Sequence, residues 1–278
     1  MKKIIVAILL FILIAFAIHK EISENVINQS ENIAIQEEGQ NVVSNTVIIN
    51  EVQENTLENK TIAFIGDSLI EGYGNEFHGF DYYLAKDLPN TNFINHSKSG
   101  STITDNSGTD NIIMLNQAKT LTENPDIIVF DGGANDIMGY ALGFLNQDLK
   151  KEIGTVDLTS QTISNGETVI SDLEEVVLEL KNKFPNAKLC YLQPFLLDDE
   201  TISHLTEEDN AKQEIASRRD IFYQEVQKMC TKWNIEYFDL SSHFTGTGTT
   251  YRQDDWIHIK EAGYELLSPY LLEKLKEM

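Results

Sequence analysis

"TIAFIGDSLIEGYG", residues 61–74, sets a serine at an unusual junction. Thr61 to Ile65 is a β-type run, Gly66-Asp67-Ser68 interrupts it, and Leu69 resumes an apolar pattern. One reading is local, because Gly-Asp-Ser is good turn and helix-cap chemistry. The other places Ser68 at the carboxyl edge of a parallel sheet, where ligands bind in open α/β folds. The remainder of the chain separates the two.

From Thr61 onward, short apolar runs alternate with longer amphipathic ones. The strand candidates are "TIAFIG" (61–66), "NFINHS" (92–97), "DIIVFDG" (126–132), "AKLCYLQPF" (187–195) and "IEYFDLS" (235–241). Helical patterns fall near 80–88, 110–122, 168–184, 208–232 and 260–277. In "ISDLEEVVLELKNKF" the apolar positions 170, 173, 176, 177, 180 and 184 keep a helical period. Strands apolar on both faces and separated by helices imply a parallel sheet covered on each side. The expected fold of residues 61–278 is α/β: a three-layer α/β/α sandwich, flavodoxin-like, with a doubly wound parallel five-stranded sheet.

That architecture says where to look for chemistry. After the first strand come Asp67 and Ser68; after the second, "SKSGSTI" with Gly100; after the third, "GGANDI" with Asn135 and Asp136. Beyond the fifth strand and a Gly/Thr-rich loop comes "DDWIH", with Asp254, Asp255 and His258. Acyl transfer from an ester needs a nucleophile, a base, a group that orients the base and donors for the oxyanion. Ser68 fits the nucleophile, His258 the base and Asp255 its orienting carboxylate. The backbone N–H groups of Ser68 and Gly100 and the Asn135 amide fit the oxyanion hole. Taken singly, each part also has a structural explanation as a cap or turn residue. Their weight comes from their occurrence in order at one sheet edge.

"FIGDSL", Gly100, "GGAND" and "DWIH" together resemble the four sequence blocks of the SGNH (GDSL) hydrolase superfamily. The resemblance runs from residue 61 to about 265, and the ordered set is far more specific than any one block. It implies a three-layer α/β/α fold and serine ester hydrolysis without a cofactor. By position, Ser68 would be nucleophile and oxyanion donor, Gly100 and Asn135 the other donors, His258 the base and Asp255 its partner. The second block, "NHSKSGST", matches the family pattern loosely, which bears on Gly100.

Two rivals come from other classes. Asp67, Asp131, Asp136, Asp254 and Asp255 suit Mg²⁺ if they converge, giving a metal-dependent phosphohydrolase. Against it, the strand ends offer little for phosphate besides Lys98 and Arg252. The other rival is a catalytically inactive tethered binding module, disfavoured because every catalytic position holds the required residue type. The expected metal set is therefore none.

Composition bounds the setting. The chain is 41% hydrophobic, enough for a sizeable core. A formal charge of −23 argues against nucleic acid and anionic membrane surfaces as partners. Cys190 and Cys230 do not make a disulfide framework and read as two buried thiols. "MKK" precedes fifteen unbroken apolar residues, Ile4 to Ile18, short for a membrane span and suited to a secretory signal core. Residues 1–20 thus read as a signal peptide or an N-terminal membrane anchor, with residues 4–18 as the tether in the second case. Residues 21–60 carry eight glutamates against one lysine and read as an acidic Asn/Gln/Glu-rich linker. The expectation is a monomeric extracellular or cell-surface enzyme.

Substrate is read least directly. "IMGYALGFLNQDLKKE", residues 137–152, follows Asn135 and offers Met138 and Phe144 as an acyl pocket, a lid, or helix packing. "FTGTGTTYRQ", residues 244–253, is polar enough for sugar hydroxyls, and Arg252 suits a carboxylate or a surface acid. Asp67, beside the nucleophile, completes the candidate substrate contacts. Short-chain (acetyl) esters on carbohydrate are the favoured substrate, with a lysophospholipase or thioesterase as the alternative.

Overall fold

The computed structural model describes residues 56–105, 113–193 and 197–278. The expected signal or anchor, the linker up to residue 55, the start of the helix expected at 110–122 and Pro194-Phe195 lie outside them.

Five strands form one sheet: β1 (Thr61–Ile65), β2 (Asn92–Asn95), β3 (Ile127–Phe130), β4 (Lys188–Gln193) and β5 (Glu236–Asp239). Their order is β2-β1-β3-β4-β5 and every pairing is parallel. β3 is buried at all four residues, as its continuous Ile-Ile-Val-Phe run requires of a strand covered on both faces. β2 and β5 lie at the sheet edges and are only partly buried.

Eight α-helices accompany the strands among the described residues: α1 (Ser68–Glu71), α2 (Phe80–Asp87), α3 (Met114–Thr120), α4 (Ala134–Met138), α5 (Val169–Lys183), α6 (Asp199–Leu205), α7 (Asp209–Trp233) and α8 (Glu261–Glu277). α2 packs with α8, while α3 packs with α5 and α5 with α7, giving the two outer layers. α5 shows how firmly local sequence sets a boundary. Thr168 Oγ1 accepts the Ser171 N–H at 3.1 Å and Ser171 Oγ accepts the Thr168 N–H at 2.9 Å, a reciprocal cap. The helix then buries Val169, Ile170, Leu173, Val176, Val177 and Leu180 on one stripe.

The folded unit reaches back beyond Thr61. Leu57 is 2% exposed within the core, and its carbonyl accepts from Thr91 Oγ1 at 2.8 Å, so residues 57–60, expected in the linker, belong to the folded unit. Cys190 and Cys230 are both free and buried. No helix among the described residues is long and apolar enough to cross a membrane.

Candidate active site

β1 is followed by Gly66, whose φ of +154° favours glycine. The buried amide of Gln117, from α3, clamps this residue: Oε1 accepts the Gly66 N–H and Nε2 donates to the Gly66 carbonyl, both at 2.9 Å. The chain then turns into α1, and the cap is Asp67, whose Oδ1 accepts the Leu69 N–H at 2.9 Å. Ser68 is thus the first residue of the helix and not its cap. Its hydroxyl is left free to face elsewhere, and its own N–H has no carbonyl one turn earlier within the helix.

The Ser68 hydroxyl faces His258, with Nε2 3.0 Å from Oγ. His258 Nδ1 lies 2.7 Å from Asp255 Oδ2. The other Asp255 oxygen accepts the N–H groups of Ile257 at 2.9 Å and His258 at 3.0 Å, folding the Asp255–His258 segment into a tight turn. That turn puts Trp256 at φ +65°, a strained position for a bulky residue. Trp256 is held there by the His204 ring stacked on it at 3.7 Å, with the Arg252 guanidinium 5.2 Å from its ring. Partial burial pushes the Asp255 carboxyl up. The His258 ring and the backbone N–H groups of His258 and Ile257 outweigh that effect and bring it down to about 2.

The other strand-end loops are tied to the same place. Asn135 Nδ2 donates to the Ser101 carbonyl at 2.8 Å, leaving its second amide hydrogen for another acceptor. Ser101 Oγ accepts from Gln117 Nε2 at 2.6 Å, so one buried amide joins the β1 and β2 loops. Gly100, one residue before Ser101, is exposed with φ +77°, and no atom lies within 4 Å of where its Cβ would be. The structure therefore brings Ser68, His258 and Asp255 into one hydrogen-bonded line. It ties Asn135 to the loop that carries Gly100.

The expected substrate contacts fare differently. Asp67 is 1% exposed and spent on capping, and Met138 is 1% exposed in the core, so neither faces a ligand. Arg252 is 0% exposed: Nε donates to the Gly248 carbonyl at 3.0 Å, Nη1 bonds Thr201 Oγ1, and Asp198 lies 3.8 Å away. The polar loop before it is closed onto itself, and its Gln253 reaches the Gly74 carbonyl at 3.0 Å. Phe144 is 53% exposed. Nor do the five acids form a metal cluster among the described residues. Asp136 is consumed by the N–H groups of Ile103 and Thr104 and the Thr104 hydroxyl, and Asp255 by its own turn. Gln117 had no signal in the sequence beyond a polar residue on a helix. Tyr73 was likewise missed, although its ring lies 4.7 Å from that of His258.

Comparison with known proteins bears on the fold and the family. No curated protein matches the sequence. Among solved structures, a Lactobacillus plantarum protein aligns with TM-score 0.56 at 18% identity, covering 79% of this chain and 98% of its own. Phospholipase A1 from Streptomyces albidoflavus aligns with TM-score 0.51 at 17% identity, covering 78% and 99%. An acetylxylan esterase from Geobacillus stearothermophilus gives TM-score 0.50 at 17% identity, covering 78% and 94%. At such identities these structures speak to the fold. The sequence itself matches a family over residues 64–266, nearly the whole described sandwich, and the chain belongs to the GDSL-like lipase/acylhydrolase family.

Proposed function

We propose that the protein is an exported serine esterase that removes short acyl groups, acetyl foremost, from carbohydrate. The observation that carries the catalytic part is the unbroken line Asp255–His258–Ser68, at 2.7 and 3.0 Å. His258 Nε2 takes the Ser68 proton as Oγ attacks the ester carbonyl, and Asp255 holds the tautomer that leaves this nitrogen free to accept. The oxyanion is met by the N–H groups of Ser68 and Gly100 and the free amide hydrogen of Asn135. His258 then protonates the departing alcohol, and water enters by the reverse route to release the acid.

The alcohol leaves beside His258, so the neighbours of that ring bear on its identity. Tyr73, 46% exposed, meets Phe77, 62% exposed, edge to face at 6.2 Å. Two exposed aromatic rings suit the apolar face of a sugar. A net charge of −23 is poorly matched to anionic lipid surfaces. The phospholipase and acetylxylan esterase neighbours carry both chemistries on this fold, so the fold does not choose between them. Export rests on "MKK" and the apolar run from Ile4 to Ile18. Protease added to intact cells expressing the full chain tests it, and protection of the sandwich in cells lacking an outer barrier would refute it.

The deciding experiment is kcat/KM on p-nitrophenyl esters of increasing acyl length, beside acetylated xylan. We expect a maximum between acetyl and butyryl and release of acetate from the polymer. A lysophospholipase or thioesterase, the reading favoured by exposed Phe144, instead gains about 0.8 kcal/mol of binding per buried CH₂. A profile climbing through octanoyl and flattened by Phe144→Ala would replace the acetyl reading and leave the catalytic one intact.

A further inference from the structure

Beneath Ser68 two carboxyl groups meet with no cation between them. Asp67 is 1% exposed and Asp131 2%. Asp131 Oδ1 accepts the Asp67 backbone N–H at 3.0 Å, while Asp67 Oδ1 caps Leu69. The two carboxyls act directly on each other, and Asp67 Oδ2 is buried with no hydrogen-bond donor among the described residues. Asp131 is also wedged against the chain: a methyl group on Gly66 would lie 1.7 Å from its Oδ1.

The titratable groups facing the pair are His258 from the catalytic turn, Asp136 from α4, Tyr191 from β4 and Tyr264 from α8. None of them solves the charge. His258 is engaged by Ser68 and Asp255, and Asp136 by Ile103 and Thr104. Tyr191 donates to the Gly132 carbonyl at 2.6 Å and Tyr264 to the Leu69 carbonyl at 2.8 Å. Two ionised carboxylates in contact, out of water and without a counter-charge, cannot both persist.

We propose that Asp67 and Asp131 hold one proton between them, carried on Asp131 and donated to Asp67 Oδ2, and that Asp131 is thereby a positioning residue for Ser68. The proposal rests on Ser68 being the nucleophile. Burial first, and then the charge of Asp67, hold the Asp131 carboxyl well above the ordinary carboxylate range. Burial likewise raises Asp67 to about 6, against the pull of the Leu69 N–H. With the proton in place, Asp67 is gripped at its N–H by Asp131 Oδ1 and at its carboxylate by the shared hydrogen. Once the proton leaves, the two charges repel, and the residue preceding the nucleophile loses its support. The pair titrates as a unit.

The test compares wild type with Asp131→Asn. The asparagine carbonyl still accepts the Asp67 N–H, and its amide donates permanently to Asp67 Oδ2. Wild type should lose kcat at alkaline pH with little change in KM, whereas Asp131→Asn should keep near-normal kcat and lack that alkaline limb. Asp131→Leu, which has neither hydrogen bond, should fall at least about tenfold in kcat at every pH. A readout independent of ester hydrolysis comes from difference infrared spectroscopy, in which wild type should show a protonated-carboxyl stretch that Asp131→Asn lacks. If Ser68→Ala retains ester hydrolysis, the esterase reading fails while the infrared signal still reports the shared proton. Should Asp131→Asn not fold, Asp67→Asn offers the mirror arrangement, its amide donating to an ionised Asp131. An unchanged alkaline limb in the variant that folds, or no protonated carboxyl in wild type, overturns the proposal.

Discussion

Gly66 and Asp131 are packed so closely that the smallest side chain on Gly66 would lie 1.7 Å from Asp131 Oδ1. Glycine at 66 is therefore a condition of placing the Asp131 carboxyl beneath Ser68, and not merely turn chemistry. Gly66→Ala should cost about 3 kcal/mol of stability by overpacking and also displace Ser68. Gly100→Ala meets nothing within 4 Å, so only its φ of +77° is strained, and the cost should be about 1 kcal/mol. Urea denaturation of the two variants checks the ranking.

Ser68→Ala and His258→Ala should each reduce kcat on an activated ester by at least on the order of 10³-fold, with both proteins folded. Neither change opens a large cavity, so circular dichroism should be unaltered. Near-normal turnover in Ser68→Ala would end the serine mechanism.

Asp255 makes a pH prediction of definite sign. Its folded pKa, about 2, lies below the ordinary carboxylate value of 3.8. Its contribution to stability is therefore present above the unfolded value and lost as pH falls through about 2. Comparison of wild type with Asp255→Asn should show a stability gap near neutrality that closes in strong acid. A gap of constant size would contradict this. The Asp67–Asp131 pair runs the opposite way: burial raises both carboxyls, so the stability their proton supplies is present in acid and lost as pH rises.

Arg252→Met should lower stability by about 2 kcal/mol, because it orphans groups that the buried guanidinium serves, and should weaken Trp256's support. KM for a neutral acetyl ester should change less than kcat. A pure KM effect would return Arg252 to the substrate.

Chelation by EDTA should leave ester hydrolysis unchanged, since the oxygens of Asp136 and Asp255 are already engaged by protein donors. Loss of activity restored by Mg²⁺ would revive the phosphohydrolase rival.

The five strands were legible because each is a short apolar run bounded by turn residues. The long helices were legible because their apolar stripe spans several turns. α1, α4 and α6 were not, since four to seven residues hold too few turns for a period to emerge. The line of Ser68, His258 and Asp255 was legible through the ordered motifs, which place each residue after a strand. An acid partner for Arg252 was among the readings, but its burial was not legible, because a polar, glycine-rich loop carries no sign in sequence that it will fold over its own arginine. The Gln117 clamp and the Asp67–Asp131 contact join residues about fifty or more positions apart. No local pattern encodes such pairs.

The early burial of Leu57 bears on how the protein can be handled. Thr56, Leu57 and the last residues, Leu275 to Met278, line one cleft together with Lys60, Asp126 and Lys188, which stand at or just before the starts of β1, β3 and β4. Ser68 and its partners stand at the finishing ends of those strands. The folded sandwich thus enters and leaves on the side away from its chemistry. Fixing it to a bead or an electrode through a tag at either end of residues 56–278 should leave the reactive edge turned outward, open to a polymer too large to diffuse.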